Sequence, residues 1–414
     1  MSNQFVTEFT LKQHTPLIHF QSDQHNATLR ATEVKAKLDR YIWKKEWNND
    51  FDQGWKYLIG ASQGATGDLK KRFQEKQYRA LDYKLELLAS GYEKKDIAGA
   101  ATKLFFGNMD KNEEGENEKP PKYFVWARDG VNGSVFCFYD ELLALIQKHL
   151  AQFFQCENFG TRQNKGFGSF RVTDLDGDVP KYYPPSPYFF KIDFPEKGSI
   201  EKALFEAIDL FYRSLRSGIN LKGDNESDRL YFKSLLFQYA RLEKKEQWDK
   251  RKIRKDLFEW HDKYKKIVRD RTDPEGTVQF KEWTPKLYRE MLGLSSSQSW
   301  LSYGNATVTK ESPGIDRYKS PITFKPIRRN DHWLVYVIPH AIPDAMKNRD
   351  FFIKSGRNNT NLTTPDFDLK AYLEFAFGYF SSRKMSVADY VGKNDAPEEV
   401  EILDNIYQQL SECL

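Results

Sequence analysis

The sequence predicts an α+β chain built from two ferredoxin-like (RRM-like) modules that carry a Gly-rich loop and helical insertions. Three observations lead there. Runs of period-two alternation and of helical period follow one another as strand, helix, strand, strand, helix, strand, before a charged helical block and a last strand-strand-helix run. The 414 residues supply material for two to three cores, at roughly 100–200 residues per domain. A content of 39% apolar, 15% aromatic and 30% charged residues is that of a globular protein and excludes a disordered one.

The first strand is read at Phe5–Leu11, where Phe5, Phe9 and Leu11 alternate with Thr7, Thr10 and Lys12 up to the turn-forming Thr15-Pro16. From Leu29 the positions Leu29, Val34, Leu38, Tyr41 and Ile42 approach helical spacing, with Arg30, Lys35, Lys37 and Arg40 on the polar surface. Residues 47–122 read as an insertion, holding the Gly-rich stretch 59–67 and the loop Asn108–Pro121. Tyr123–Ala127 and Ser134–Tyr139 read as a β-hairpin around Asp129-Gly130 and Asn132-Gly133, and Glu141–Phe154 as an amphipathic helix. After the Gly-rich segment Asn158–Phe170 a strand is expected at Tyr188–Phe194 and a helix at Ser199–Leu215.

Asp228–Asp270 carries an interrupted apolar stripe and reads as strongly helical, within a helical block over 221–310. Ser320–Ile327 and Trp333–Ile338 then read as strands joined by Arg328-Arg329-Asn330-Asp331, and Leu369–Phe380 as a late helix. The expected domains are an N-terminal module over 1–220, the helical block, and a C-terminal half-module over 311–414.

A net charge of +5 from 64 basic and 59 acidic residues means that a polyanionic partner must be met by local patches. Cys137, Cys156 and Cys413 are odd in number and form no CxxC pair, which speaks against a disulfide framework or a zinc site and for a reducing compartment. The start of the chain has no basic, then apolar, leader pattern, and no stretch nears the ~18 apolar residues of a membrane span. A cytoplasmic protein without membrane contact is expected.

Gly160–Phe170 combines three glycines with Arg162 and Lys165, framed by Phe159, Phe167 and Phe170. Glycines let backbone N–H groups approach a phosphate, cations neutralise it, and aromatic faces stack on bases, so the segment has the makings of an RNA-backbone clamp. Its spacing fits neither GxxxxGK[ST] nor GxGxxG. An ordinary Gly-rich surface loop is the plain alternative. The helix from Leu29, with Thr32 in its first turn and Lys35, Lys37 and Arg40 beyond, can set its N-terminus and cations against phosphates, or can be a solvated face balanced by Glu33 and Asp39.

Taken together, Thr15-Pro16-Leu17, Leu29-Arg30-Ala31-Thr32-Glu33-Val34-Lys35 and Gly160-Thr161-Arg162-Gln163-Asn164-Lys165-Gly166-Phe167-Gly168 resemble the RAMP superfamily of CRISPR-associated proteins. Ser320–Pro326 looks like a strand of its large two-module subunit, which caps the 3′ end of the guide in type III-B (Cmr) effector complexes. The resemblance implies an RNA-binding structural subunit whose partners are guide RNA, target RNA and other effector subunits, with no cofactor. The residues implied are Arg30, Lys35, Lys37, Arg40, Gly160, Arg162, Lys165, Gly166, Phe167 and Gly168. The family's glycine pair before the first Arg is replaced here by His25-Asn26-Ala27-Thr28.

Some members of the superfamily cleave precursor guide RNA with a His near the N-terminal helix, and some cut target RNA with a loop Asp. The matching positions are His14 and His19, with His25 a third, and Asp23. A metal-independent endoribonuclease is therefore the alternative. No second group to steady a phosphorane is evident, and since processing members of the superfamily carry the Gly-rich loop close to the C-terminus while more than half of this chain follows it, the resemblance favours binding over cleavage. Asp174-Leu175-Asp176-Gly177-Asp178 fails the EF-hand spacing at position twelve, which is Pro185, and His332 and His340 have no third ligand, so no metal site is expected.

Overall fold

Strand β1 (Val6–Gln13) buries Phe9 and Leu11 and exposes Glu8 and Lys12, the pleat turning each alternate side chain to the core. Helix α1 (Ala31–Trp47) buries Val34, Leu38, Ile42, Trp43 and Trp47 on one stripe, with Glu33 in its first turn and Lys44 and Lys45 in its last, both favourable to the helix dipole. In this computed structural model the described residues are 5–18, 28–61, 67–89, 91–96, 123–221, 230–258, 284–300, 303–392 and 398–414. The chain divides into two compact units, Met1–Pro187 with Lys191–Glu206 and Phe324–Ile338, and Tyr188–Phe190 with Ala207–Thr323 and Pro339–Leu414.

In the first unit β2 (Lys84–Ala89), β3 (Val131–Phe136), α2 (Asp140–Cys156) and β4 (Phe170–Leu175) complete a strand-helix-strand-strand-helix-strand chain. The sheet runs β2-β3-β1-β4 with every neighbour antiparallel. Phe9 lies opposite Gly133, and a Cβ there would stand 2.2 Å from the Phe9 ring, so the strand needs glycine to let the ring cross it. Phe154 meets Phe9 at 6.1 Å and Phe159 at 5.4 Å, and Phe159 meets Phe170 at 6.1 Å, an aromatic ladder from β1 through α2 to the segment that follows it. Ile322–Arg328 and His332–Pro339, neighbouring strands as the sequence suggested, bring Phe324–Ile338 into this unit.

Two readings are corrected here. Tyr123–Trp126 does not form a hairpin with β3; it pairs with Leu17–Ile18 and Glu93–Asp96 in a separate sheet. Edge β2 of the main sheet lies inside the stretch read as insertion. Alternation fixes which face of a strand is buried and leaves its partner open, which is why both were misread.

In the second unit α3 (Ile200–Arg216), which begins in the first, leads to α4 (Leu235–Leu242) and α5 (Asp249–Leu257). The stretch expected to be helical over Asp228–Asp270 is interrupted by the strands Leu230–Phe232 and Gln247–Trp248, with Lys245 left-handed at φ 55° between the helices. Residues 259–283 lie outside the described ones. The block over 221–310 is therefore mixed, because it also holds β5 (Ser297–Trp300) and most of β6 (Ala306–Glu311). With β7 (Asp350–Ser355) and β8 (Asn358–Thr363), a hairpin the periodicity did not reveal, these build a six-stranded sheet whose other edge is Pro285–Lys286 and Gln247–Trp248. Helix α6 (Leu369–Arg383) starts where the Asp368 carboxylate accepts from the Lys370 and Ala371 N–H groups, and packs with α7 (Val387–Val391) and α8 (Glu398–Ser411) through Phe380, Tyr390 and Tyr407.

Candidate nucleic-acid interface

The glycine loop between α2 and β4 is closed at its base by Asn158 and Ser169, with the Phe159 N–H donating to the Gly168 carbonyl at 3.0 Å. Gly160, Gly166 and Gly168 take positive φ, and Arg162 joins them at 58°. A Cβ on Gly168 would stand 2.0 Å from the Phe159 carbonyl oxygen, and one on Gly160 2.6 Å from that of Ile18, so both glycines are required by close approach as well as by φ. The Thr15-Pro16 turn threads the loop. Thr15 Oγ1 donates to the Gly166 carbonyl at 2.7 Å and accepts from the Ser169 N–H at 2.9 Å, while Pro16 and Ile18 carbonyls receive the N–H groups of Gly168 and Thr161.

Helix α1 is fastened to the same loop. Glu33 Oε1 accepts from the Gly160 N–H at 3.0 Å, and Lys37 Nζ donates to the Asn158 carbonyl and to Gln163 Oε1, with Glu157 3.3 Å away. The Lys37 side chain is only 10% exposed, and burial lowers its proton affinity against the pull of Glu157 and Glu33. From beneath, wholly buried Lys325 donates to the Glu157 and Phe170 carbonyls at 2.7 and 2.9 Å. Desolvation brings its pKa down to about 7. Asn158 Nδ2 ties the loop to the carbonyls of Gln163 and Phe324.

Residues 30–40 and 160–168 thus meet, as the clamp reading requires. Arg30 and Arg40 are exposed, and Arg162 and Lys165 are half-buried on the loop, with Arg162 Nε and Lys165 Nζ themselves buried. Lys35 and Lys37 differ from expectation: Lys35 turns to Asp39 at 3.1 Å and to the Leu81 carbonyl at 2.7 Å, and Lys37 is spent on the loop itself. The aromatic frame is core and no stacking platform. Phe167 is 1% exposed and stacked on Phe205 at 3.8 Å, while Phe159 and Phe170 are equally buried. Nor do the glycines present N–H groups outward, since those of Gly160, Gly166 and Gly168 are all bonded within the protein.

His14 is corrected as a catalytic candidate. It is buried, its Nδ1 accepts from the Arg328 N–H at 3.1 Å, and desolvation followed by the Lys325 charge holds its pKa well below the usual imidazole range. A neutral imidazole closed off from solvent cannot reach a ribose hydroxyl. His19, Asp23 and His25 lie outside the described residues. No group of three metal-ligating side chains occurs among the described residues, where His332 bonds Asp331 and His340 bonds Thr323. No helix among them is long and apolar enough to cross a membrane. Sequence reasoning missed Lys325, whose one sign is a lysine between Phe324 and Pro326 in a strand otherwise buried on both faces.

Family models of the Cmr1 N-terminal domain and the Cmr1 C-terminal domain match residues 4–219 and 231–396. The chain belongs to the Cmr1 family. That agrees with the resemblance to the large two-module RAMP subunit. Nothing among curated protein sequences matches it. Among solved structures it is similar to Cmr1 from Pyrococcus furiosus in its apo form, at 11% identity and a TM-score of 0.31, over 83% of this chain and 91% of that one. It is also similar to a chain of the type III-B Cmr-beta complex bound to cognate target RNA, at 10% identity and a TM-score of 0.28 over 99% of both chains. A second state of that complex, with AMPPnP and in the presence of ssDNA, gives 0.34 at 10% identity over the same 99% of each.

Proposed function

We propose that this chain is an RNA-binding structural subunit of a cytoplasmic type III-B CRISPR effector complex, holding guide RNA near its 3′ region and lying against target RNA and neighbouring subunits. The observation that carries this reading is the seat of the glycine loop. Thr15-Pro16 on one side and Glu33 and Lys37 on the other set a loop bearing Arg162 and Lys165 beside the first turn of α1 with Arg30, and Arg40 follows on that helix. Buried lysines and positive-φ glycines spend their interactions on shaping the loop, the exposed Arg30 and Arg40 and the half-buried Arg162 meet phosphates, and Lys165, whose Nζ is buried, adds its charge to the loop. The order β2-β3-β1-β4, all antiparallel, with two crossover helices, supports a ferredoxin-like first unit. An architectural role is supported by His14, which among the described residues lies beside the loop's base and is buried away from solvent.

A salt titration of RNA affinity tests it. Replacing Arg162 and Lys165 together by Ala should weaken binding by about 2–4 kcal/mol, at ~1–2 kcal/mol for each charge-assisted contact, and should lower the slope of log K against log salt by about 1.4, ~0.7 per phosphate of a single strand. Unchanged affinity rejects the loop as the contact.

A further inference from the structure

We propose that a second phosphate track for single-stranded RNA adjoins the glycine loop in the first unit, formed by Lys12, Arg171, Arg328 and Arg329 with Lys181 and Tyr183 at its edge. This rests on the RNA-binding reading and adds a surface to it.

Lys12 on β1 and Arg171 on β4 are direct cross-strand partners. Like charges set opposite one another weaken a sheet. The turn after Ile322–Arg328 then delivers Arg328 and Arg329 to the same end, where the Arg328 N–H is bonded to His14 Nδ1 at 3.1 Å. The charges acting on buried His14 come from Lys325, Arg171, Lys12 and Arg329, all of one sign. Among the described residues none of Lys12, Arg171, Lys181, Arg328 and Arg329 makes an ion pair, and the acid of the turn, Asp331, is held by His332 at 2.7 Å. Arg171 Nε is buried with no hydrogen-bond partner.

Three of these cations lie against rings: Arg329 at 5.4 Å from Tyr182, Arg328 at 5.7 Å from Phe194 and Lys181 at 5.1 Å from Tyr183. Tyr183 is 45% exposed, which leaves ring area for a base. Cations interleaved with aromatic faces suit a flexible strand, whose bases stack while its phosphates are neutralised, better than an acidic peptide, which has no bases to stack. The patch also adjoins the loop. Arg171 is three residues beyond Gly168, and the Ser169 carbonyl receives the His14 N–H at 2.8 Å, so the patch begins where the base of the loop joins β1.

Fluorescence anisotropy of the full chain with labelled single-stranded RNA, across a salt series, tests the track. Arg171→Gln with Arg329→Gln should lower the salt slope by about 1.4 and the affinity at least about tenfold, while Arg171→Lys with Arg329→Lys keeps the slope. Tyr183→Ala should lose at least about fivefold with the slope intact. Thermal midpoints guard against misfolding: removing facing like charges should leave the midpoint unchanged or raised, and a lowered one would make Arg171 structural and overturn the proposal. If only Arg162→Ala with Lys165→Ala weakens binding, the track is refuted and the loop stands. If only the Gln pair does, the loop fails and the track stands. Gln variants that keep RNA affinity but lose an acidic peptide would assign the patch to a protein and overturn it.

Discussion

Lysine 37 decides between two uses of the same charge, as an RNA contact or as the rivet of the loop, and Lys37→Met separates them. Methionine keeps most of the apolar stem and removes the ammonium. The Asn158 carbonyl and the Gln163 amide oxygen then lose their donor, and Glu157 and Glu33, 3.3 and 3.9 Å away, lose their counter-charge. An orphaned buried acceptor costs about 1–3 kcal/mol, and breaking a fully buried pair by removing one partner costs about 3–5. Glu157 is 30% exposed, and burial opposes the charged lysine in the first place, so the low end applies. A loss of about 2–3 kcal/mol is expected, which for a unit of this size lowers the unfolding midpoint by about 5–10 °C. Thermal denaturation followed by circular dichroism measures the shift, and an RNA salt titration well below the midpoint measures the contact. The midpoint should fall while the salt slope stays as in the parent chain. A midpoint left in place together with a slope reduced by ~0.7 would refute the rivet and restore Lys37 to the RNA surface.

Gly168→Ala, with its Cβ 2.0 Å from a carbonyl oxygen at φ 66°, should cost at least about 3 kcal/mol, whereas Gly177→Ala, at φ 91° in open space, should cost about 1–2; equal shifts in denaturant midpoint would remove close approach as the reason for Gly168. Because the folded pKa of Lys325 is lowered to about 7, unfolding takes up a proton between there and the free-lysine value, so stability relative to Lys325→Met should rise by up to about 1.4 kcal/mol per pH unit above pH 7 and be flat below it. Parallel urea-unfolding curves for the two chains across that range would contradict the assignment. In the second unit Lys310→Met leaves Glu290 buried without its cation and should cost about 3–5 kcal/mol, and adding Glu290→Leu should recover much of it; a double variant no better than the single one would count against the pair.

Much of the first unit was legible because its elements are long and strongly periodic. Strand β1, helices α1 and α2 and the glycine loop lie where the pattern puts them, and the loop does meet α1. The chemistry of the loop was half legible. Residues two apart on a helix point about 160° apart, so Lys35 and Lys37 could never have faced one ligand, and the structure turns one to Leu81 and the other to Asn158. The phenylalanines around the glycines were read as exposed because composition gives no direction; Phe167 stacks inward on Phe205, nearly forty residues along the chain. Pairing was illegible for the same reason. Nothing local tells Tyr123–Trp126 to choose Leu17–Ile18 over the strand next to it, and nothing local announces that Arg171 will stand beside Arg329.

The hydroxyl of Thr15 joins pieces of chain more than 150 positions apart, Gly166 on one side and Ser169 on the other. Such a closure is entropically remote and comes late in folding. A growing polypeptide therefore completes this surface only after its opening strand has waited for everything through β4 to arrive, so a product of synthesis cut short before β4 lacks the closed glycine loop.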